Sequence, residues 1–493
     1  MYLYGKIKVM QIRHCTSRKA KNTAENERKM KLNYKRTILV GFAFFLISAF
    51  WSAYDAIIPL ALTNHFGLPQ SVSGVVMSLD NILAVFMLPI FGALSDKIDT
   101  KIGKRTPFII GGTIVSVLAF FGLSFVDNYQ LSLLVEAQKG LDSTAANFQD
   151  ESAKLALELT LANPLIIGGF ILTLLVVLIA MATFRSPAVA LMPDVTVKPL
   201  RSKGNAIINL MGTAGGIIIL VFGTLFGTSK NLYMSYTGYT LAVIGVMLAG
   251  LIIFLATVKE KQWADEMEAE SERLGLNEVK EESKEGGKGL SKDELRSLLL
   301  ILASVALWYI GYNSITSKYS VYATNVLGVD YGLTLIVAQA AAIVSYIPVG
   351  IIASKIGRRK TILAGVAMLA TAFFIGNFIG EGASPLIMYP IFALAGIGWA
   401  TINVNSFPMV VELAKNGEVG KYTGYYYTAS MAAQIVAPVL SGILYDAFGM
   451  RAMFFSFGTI FVVFSFITMF FVKHGDAKAE KQDALEALGG ADD

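Results

Sequence analysis

Four ionisable side chains stand inside runs that are otherwise apolar. Asp55 lies in WSAYDAIIP beside Trp51 and Tyr54, Asp80 is followed by Asn81, and Arg185 and Lys318 interrupt two further runs. A charge at mid-bilayer costs ~3 kcal/mol or more on insertion scales, so it marks a pathway or a coupling site by default. A carboxyl in such surroundings suits taking up and releasing a proton near neutral pH. Arg185 stays charged and can pair with an acid or hold a solute oxygen. Simpler roles stay open: Asp55 and Lys318 as groups snorkelling to an interface, and Asp80 with Arg185 as a structural ion pair.

A weaker polar layer accompanies these charges. Asn205 and Asn209 open the fifth run, Asn313 stands near Lys318, and Asn403 and Asn405 lie in the tenth. Gln434 lies in the eleventh, after Tyr425, Tyr426 and Tyr427. Amides and carboxylates beside aromatic faces are the groups that hold sugar hydroxyls and sugar C–H surfaces. Singly, such residues are more often glue between helices.

The elements that must position these groups are membrane helices. Of 493 residues 54% are hydrophobic and 16% are charged, with mean hydropathy +0.58. Soluble domains carry about a quarter charged residues. Apolar runs of bilayer-spanning length fall near 37–62, 72–95, 107–126, 164–192, 205–227, 237–257, 295–321, 331–353, 361–379, 385–411, 422–445 and 452–473. The expected fold is therefore all-α, with twelve transmembrane helices in two six-helix bundles. The expected domains are a disordered basic leader, 1–36, a first bundle, 37–257, a charged linker, 258–294, a second bundle, 295–473, and a tail, 474–493. The linker reads as an amphipathic helix followed by a Gly-Gly stretch. Either Met1 or Met30 serves as a start, and the long first run does not fit a cleaved signal peptide.

Lys and Arg cluster in alternate loops, at Lys97 to Arg105, Lys198 to Lys203, Lys355 to Lys360, and Lys415 with Lys421. Loop 3–4, 127–163, is acidic instead, with Asp127 among its carboxylates. The positive-inside rule then places both termini and the linker in the cytoplasm, with the plasma membrane as the expected location. The net charge of +5 reflects this orientation rather than nucleic-acid binding.

Two of the basic loops nearly repeat one another. GALSDKIDTKIGKR begins at Gly92 and GIIASKIGRRK at Gly350, 258 residues later. Asp194, ending span 4, matches Glu412, ending span 10, at a separation of 412 − 194 = 218. The acidic loop 3–4, with no counterpart between spans 9 and 10, accounts for most of the difference. Parallel halves related by an axis along the membrane normal are one known transporter plan, with the solute site between them near the midplane. Inner-gate residues are then Gly92, Asp96, Lys97, Gly103, Lys104, Arg105, Asp194, Arg201, Gly350, Gly357, Arg358, Arg359 and Glu412. Asp96 is expected to face the N-terminus of span 11, near Lys421, where a helix dipole favours a carboxylate by up to ~2 kcal/mol.

Other chemistries lack their residues. No GxxxxGK[ST] motif cradles a phosphate, and no HExxH or Cys/His pattern holds a metal. His14 falls in the leader, His65 in an outer loop and His474 after span 12, so no histidine relay is expected. Cys15 is the single cysteine, which excludes an internal disulfide. No catalytic constellation and no cofactor are expected.

The hairpin Gly92, Leu94, Asp96, Lys97, Gly103, Lys104, Arg105 resembles the loop 2–3 signature of the major facilitator superfamily. The residues between Lys97 and Gly103, with Pro107-Phe108, and the segment PAVALMPDVTVKPLRSKGNA are similar to two neighbouring branches. These are the sucrose/proton symporters and the glycoside–pentoside–hexuronide cation symporters. The resemblance implies alternating access and movement of a saccharide with H+, or with Na+. It departs at Arg185-Ser186-Pro187, where the sucrose group tends to place Gln-Gly-Pro-Ala-Arg, so Arg185 is not assigned as that group's arginine. The expectation is a monomeric, proton-coupled sugar symporter. Asp55, Tyr54, Asp80, Asn81, Arg185, Asn313, Lys318, Asn403, Asn405 and Gln434 would serve the solute or its coupling ion. The alternatives are an exporter of an amphipathic solute and a membrane sensor without transport.

Overall fold

The computed structural model describes residues 31–145, 147–274, 290–382, 384–414 and 419–475. Residues 1–30 of the leader, 275–289 of the linker and 476–493 of the tail lie outside the described residues.

The twelve apolar runs form twelve long helices. The first six are α1 (Tyr34–His65), α2 (Gln70–Lys97), α3 (Thr106–Gln138), α4 (Pro164–Asp194), α5 (Arg201–Phe226) and α6 (Thr237–Thr257). The second six are α7 (Lys292–Thr316), α8 (Tyr331–Ile356), α9 (Arg358–Gly376), α10 (Pro385–Val411), α11 (Val419–Phe448) and α12 (Met450–Phe470). A helix satisfies its backbone internally, which is what a chain without water requires. Phe86, Leu118, Leu165, Val344 and Phe378 are exposed, the disposition of a protein solvated by lipid.

The halves repeat one another in packing. α3 lies on α4 as α9 lies on α10, α2 on α4 as α8 on α10, and α1 on α5 as α7 on α11. Both first helices of a half end in a wide turn: α1 closes in a π-turn at Ala61–His65, and a π-turn at Tyr322–Leu327 leads from α7 to α8. The two turns share three residues at one spacing. Thr63, Asn64 and Gly67 correspond to Thr324, Asn325 and Gly328, each 261 positions later.

Two segments read as loops from sequence are ordered elements. α3 continues to Gln138 and a further helix, Phe148–Ala162, fills the acidic region. Asp127 therefore sits inside the first half, 4% exposed. His65 is not in an outer loop either; it is fully buried in the π-turn. The apolar count stopped at 126 because it ignored polar residues that pair inside a bundle.

The linker begins as a helix, Glu260–Arg273, lying against the first half. Arg36 pairs with Glu266 at 2.6 Å and lies over the Trp263 ring at 5.1 Å, and Lys261 meets Asp99 at 3.0 Å. α7 then starts from a capping box made by Ser291 and Glu294.

Candidate functional site

A cavity of about 180 Å³ lies between the halves. α1 contributes Trp51 and Asp55, α2 contributes Met77, Asp80 and Asn81, and α4 contributes Arg185. From the second half come Asn313, Thr316, Ser317, Gln434 and Pro438. Six residues singled out from the sequence thus share one space: Asp55, Asp80, Asn81, Arg185, Asn313 and Gln434. The Asn81 amide donates to the Asp80 carboxylate at 2.9 Å, and the Arg185 guanidinium lies 5.7 Å over the Trp51 ring. Asp80 and Arg185 act on one another through space. Two carboxylates face one guanidinium, so the space carries one uncompensated negative charge when all three are ionised.

The remaining candidates lie elsewhere. Tyr54 is buried in the first half against Phe50 and Trp51. Asn403 and Asn405 are buried in α10, where the Asn405 amide donates to Thr401 O at 2.9 Å. Tyr426 is buried with its hydroxyl against Ser406, and Tyr425 is exposed, so the aromatic face on the cavity is that of Trp51. Lys318 is fully buried and donates to Ser73 Oγ of α2.

That Lys318 contact belongs to a clasp joining the halves at the end of the bundle opposite the basic hairpins. There the Asp446 carboxylate accepts from the backbone N–H groups of Gln70 and Ser71, at 2.7 and 2.8 Å. These are orphan donors at the N-terminus of α2, where the helix dipole favours an anion. α2 and α11 cross here with almost no gap: a Cβ on Gly74 would lie 2.1 Å from Pro438 O, and one on Gly442 2.3 Å from Gln70 O. The equivalent residues Asn64 and Asn325 pair with each other, with the Asn325 amide donating to Asn64 Oδ1 at 2.6 Å. Thr228 and Tyr331 share a 2.6 Å hydroxyl contact, and Thr224 donates to Asp330 at 3.1 Å.

The basic hairpins are built around arginines. Arg105 is buried and forks to three acceptors: Ser95 Oγ, Asp96 at 2.5 Å and Asp194 at 2.7 Å. Asp96 is thereby held to Arg105 at the start of α3, within its own half; the expected contact with the N-terminus of α11 belongs to a shut inner gate, which opens when the halves rock apart. Arg358 pairs with Glu412 in the second half, the counterpart of Arg105 with Asp194. Arg359 donates to Phe470 O, and Arg201 to Thr196 O at 3.1 Å. Lys97 and Lys104 are exposed, while Gly92 rests against Ser186 of α4. Gly350 lies within α8, and Gly357 (φ 91°) opens α9.

Sequence reasoning missed Glu260. Only 3% exposed, it accepts from the backbone N–H groups of Lys104, Arg105 and Thr106 at 2.6, 2.8 and 2.8 Å. The Thr106 hydroxyl adds a fourth bond at 2.6 Å. Gly103 (φ 118°) admits this carboxylate, since a Cβ there would lie 2.2 Å from Glu260 Cδ. Asp446, Asn64 and Asn325 were missed too, although the repeated Thr-Asn and Gly at one spacing was a readable signal for the last two.

Twelve membrane-length helices in two matching sets, enclosing a polar space between them, define the architecture of a solute transporter. The sequence model of the Major Facilitator Superfamily matches residues 40–344 and 330–489, and the chain belongs to that family. A curated relative, the MFS-type transporter ppzB of Metarhizium rileyi (strain RCEF 4871), is 29% identical over 114 residues. That match spans 23% of this chain and 23% of the relative's length. The fold is similar to the inward-open xylose transporter XylE from E. coli, with TM-score 0.61 at 13% identity over 92% of this chain and 98% of that one. It is also similar to an inward-facing bacterial homologue of the iron transporter ferroportin, with TM-score 0.60 at 13% identity over 89% and 99%.

Proposed function

We propose that the protein is a proton-coupled symporter of a saccharide, working by alternating access in the plasma membrane with both termini cytoplasmic. The observation that carries this reading is the charge count of the central cavity. Asp55 and Asp80 face Arg185 alone, beside amides from both halves. An unpaired carboxylate held away from water costs several kcal/mol, so a neutral solute closing over the cavity favours uptake of one proton with it. The hydroxyls and amides of Asn81, Asn313, Thr316, Ser317 and Gln434 suit a polyol, with the Trp51 ring as a platform. An exporter of amphipathic solutes calls for a mostly apolar lining, whereas eight of these eleven lining residues are polar. With the termini cytoplasmic, the clasp at Asp446 and Asn64 lies at the outer end.

In proteoliposomes, Asp80→Asn is expected to abolish sugar accumulation driven by a pH gradient while sparing solute exchange. Unchanged accumulation would remove Asp80 from the coupling. A thermal-shift screen against mono- and disaccharides at two pH values identifies the solute.

A further inference from the structure

The two carboxylates of the central cavity are not equivalent. Asp80 accepts from the Asn81 amide at 2.9 Å and is attracted by the Arg185 guanidinium. Asp55 lies on the same wall with neither support. Ser320 Oγ donates to its backbone O at 3.2 Å, but among the described residues no side-chain donor or cation reaches its carboxylate. The charge that acts on it is that of Asp80, a repulsion. Both nearby cations are committed elsewhere. Arg185 serves Asp80 and the Trp51 face, and Lys318, one residue past Ser317, donates to Ser73 with the Asp446 charge acting on it. Asp55 is nonetheless exposed, while Tyr54 and Ala56 on either side are buried, so the space that reaches it is the cavity.

The facing wall repeats this excess of acceptors. Asn313 and Gln434 donate through their amide nitrogens within their own helices, to Tyr309 O at 2.9 Å and Ser430 O at 3.4 Å. Their amide oxygens remain as acceptors, and Ser317 Oγ has no partner. A wall rich in acceptors, with one carboxylate uncompensated, is matched by a solute rich in donors that carries a single positive charge. A primary ammonium supplies three N–H donors and that charge together, and ring hydroxyls supply the rest. A quaternary ammonium has no N–H to give and calls for a cage of aromatic faces, whereas Trp51 is the one ring on this wall. A solute carboxylate would add a third negative charge beside a single arginine.

We propose, on the reading of this cavity as the solute site, that its preferred solute is a protonated amino sugar, with its ammonium on Asp55 and its hydroxyls on Asn313, Ser317 and Gln434. The ammonium takes the place of the proton that a neutral sugar needs, so an amino sugar crosses with its own charge and no added proton.

The test compares glucose, glucosamine, N-acetylglucosamine and glucuronate, and then their galactose counterparts, on the full-length protein at about pH 6.5, where a primary amine is protonated. Half-saturating concentrations, read by thermal shift, are expected to be about 10- to 100-fold lower for the amine than for the matched neutral sugars, as a hydrogen bond to a charged group supplies. The uronate is expected to bind least. Asp55→Asn is expected to bring the amine and the neutral sugars close to parity. In proteoliposomes holding a pH-sensitive dye, uptake of neutral sugar is expected to acidify the lumen and uptake of the amine to leave it unchanged. That measurement decides the matter should Asp55→Asn fail to fold. Neutral sugars bound as tightly as the amine, or equal acidification by both, would overturn the amino-sugar assignment and leave the saccharide reading standing. Binding of no sugar of either kind would overturn both. An amine preference that survives Asp55→Asn would place the ammonium elsewhere and overturn the role given to Asp55.

Discussion

Replacing Asp446 by alanine is expected to loosen the end of the molecule that is now closed. The carboxylate takes two backbone donors from the other half, at 2.7 and 2.8 Å. A hydrogen bond to a charged group is worth about 1.5–3 kcal/mol net, and the helix terminus adds to it. Asp446 is exposed, however, so water recovers much of both terms when the clasp opens. A loss of about 1.5–2 kcal/mol from the clasped state remains, which shifts the equilibrium roughly 10- to 30-fold at about 1.4 kcal/mol per factor of ten. The Asp446 charge also acts on buried Lys318, whose contact with Ser73 joins the same two halves, so both links weaken together. With Cys15→Ser as background, Ser317→Cys places a lone thiol on the cavity wall. A membrane-impermeant maleimide applied from the clasped side should label it roughly 10- to 30-fold faster after Asp446→Ala. Asp446→Asn, whose amide oxygen still accepts a bond without charge, should fall between. A labelling rate within twofold of the parent, or slower, would refute the assignment of Asp446 as a closing contact.

Three further outcomes concern the basic end. Glu260→Ala strands three backbone donors and the Thr106 hydroxyl at the start of α3, and is expected to cost about 2–4 kcal/mol, read as a lower Tm. Gly103→Ala forces the same carboxylate out and should reproduce much of that loss. Arg105→Lys keeps the charge but cannot span Ser95, Asp96 and Asp194 at once, so initial uptake rates should fall while Glu260-dependent Tm changes little.

The central cavity was legible for a definite reason. Asp55, Asp80 and Arg185 are too costly in lipid to face outward, so their presence in apolar runs implied an interior. Asp127 and His65 escaped because they fall near polar neighbours, where an apolar count ends a helix and starts a loop. Lys318 was noticed at the outer end of span 7, but its contact with Ser73 of α2 depends on how the two halves pack together. The pairing of Asp96 with Arg105 was not read from the sequence because it depends on how the hairpin folds back.

What the chain's order of residues determined is the number of spans, the duplication and which charges had to be sheltered, because the bilayer penalises every exposed polar group. Tertiary structure alone decided which sheltered charges share a space and where the halves touch. Those answers rest on contacts between residues as far apart as Gln70 and Asp446, whose proximity no local pattern encodes.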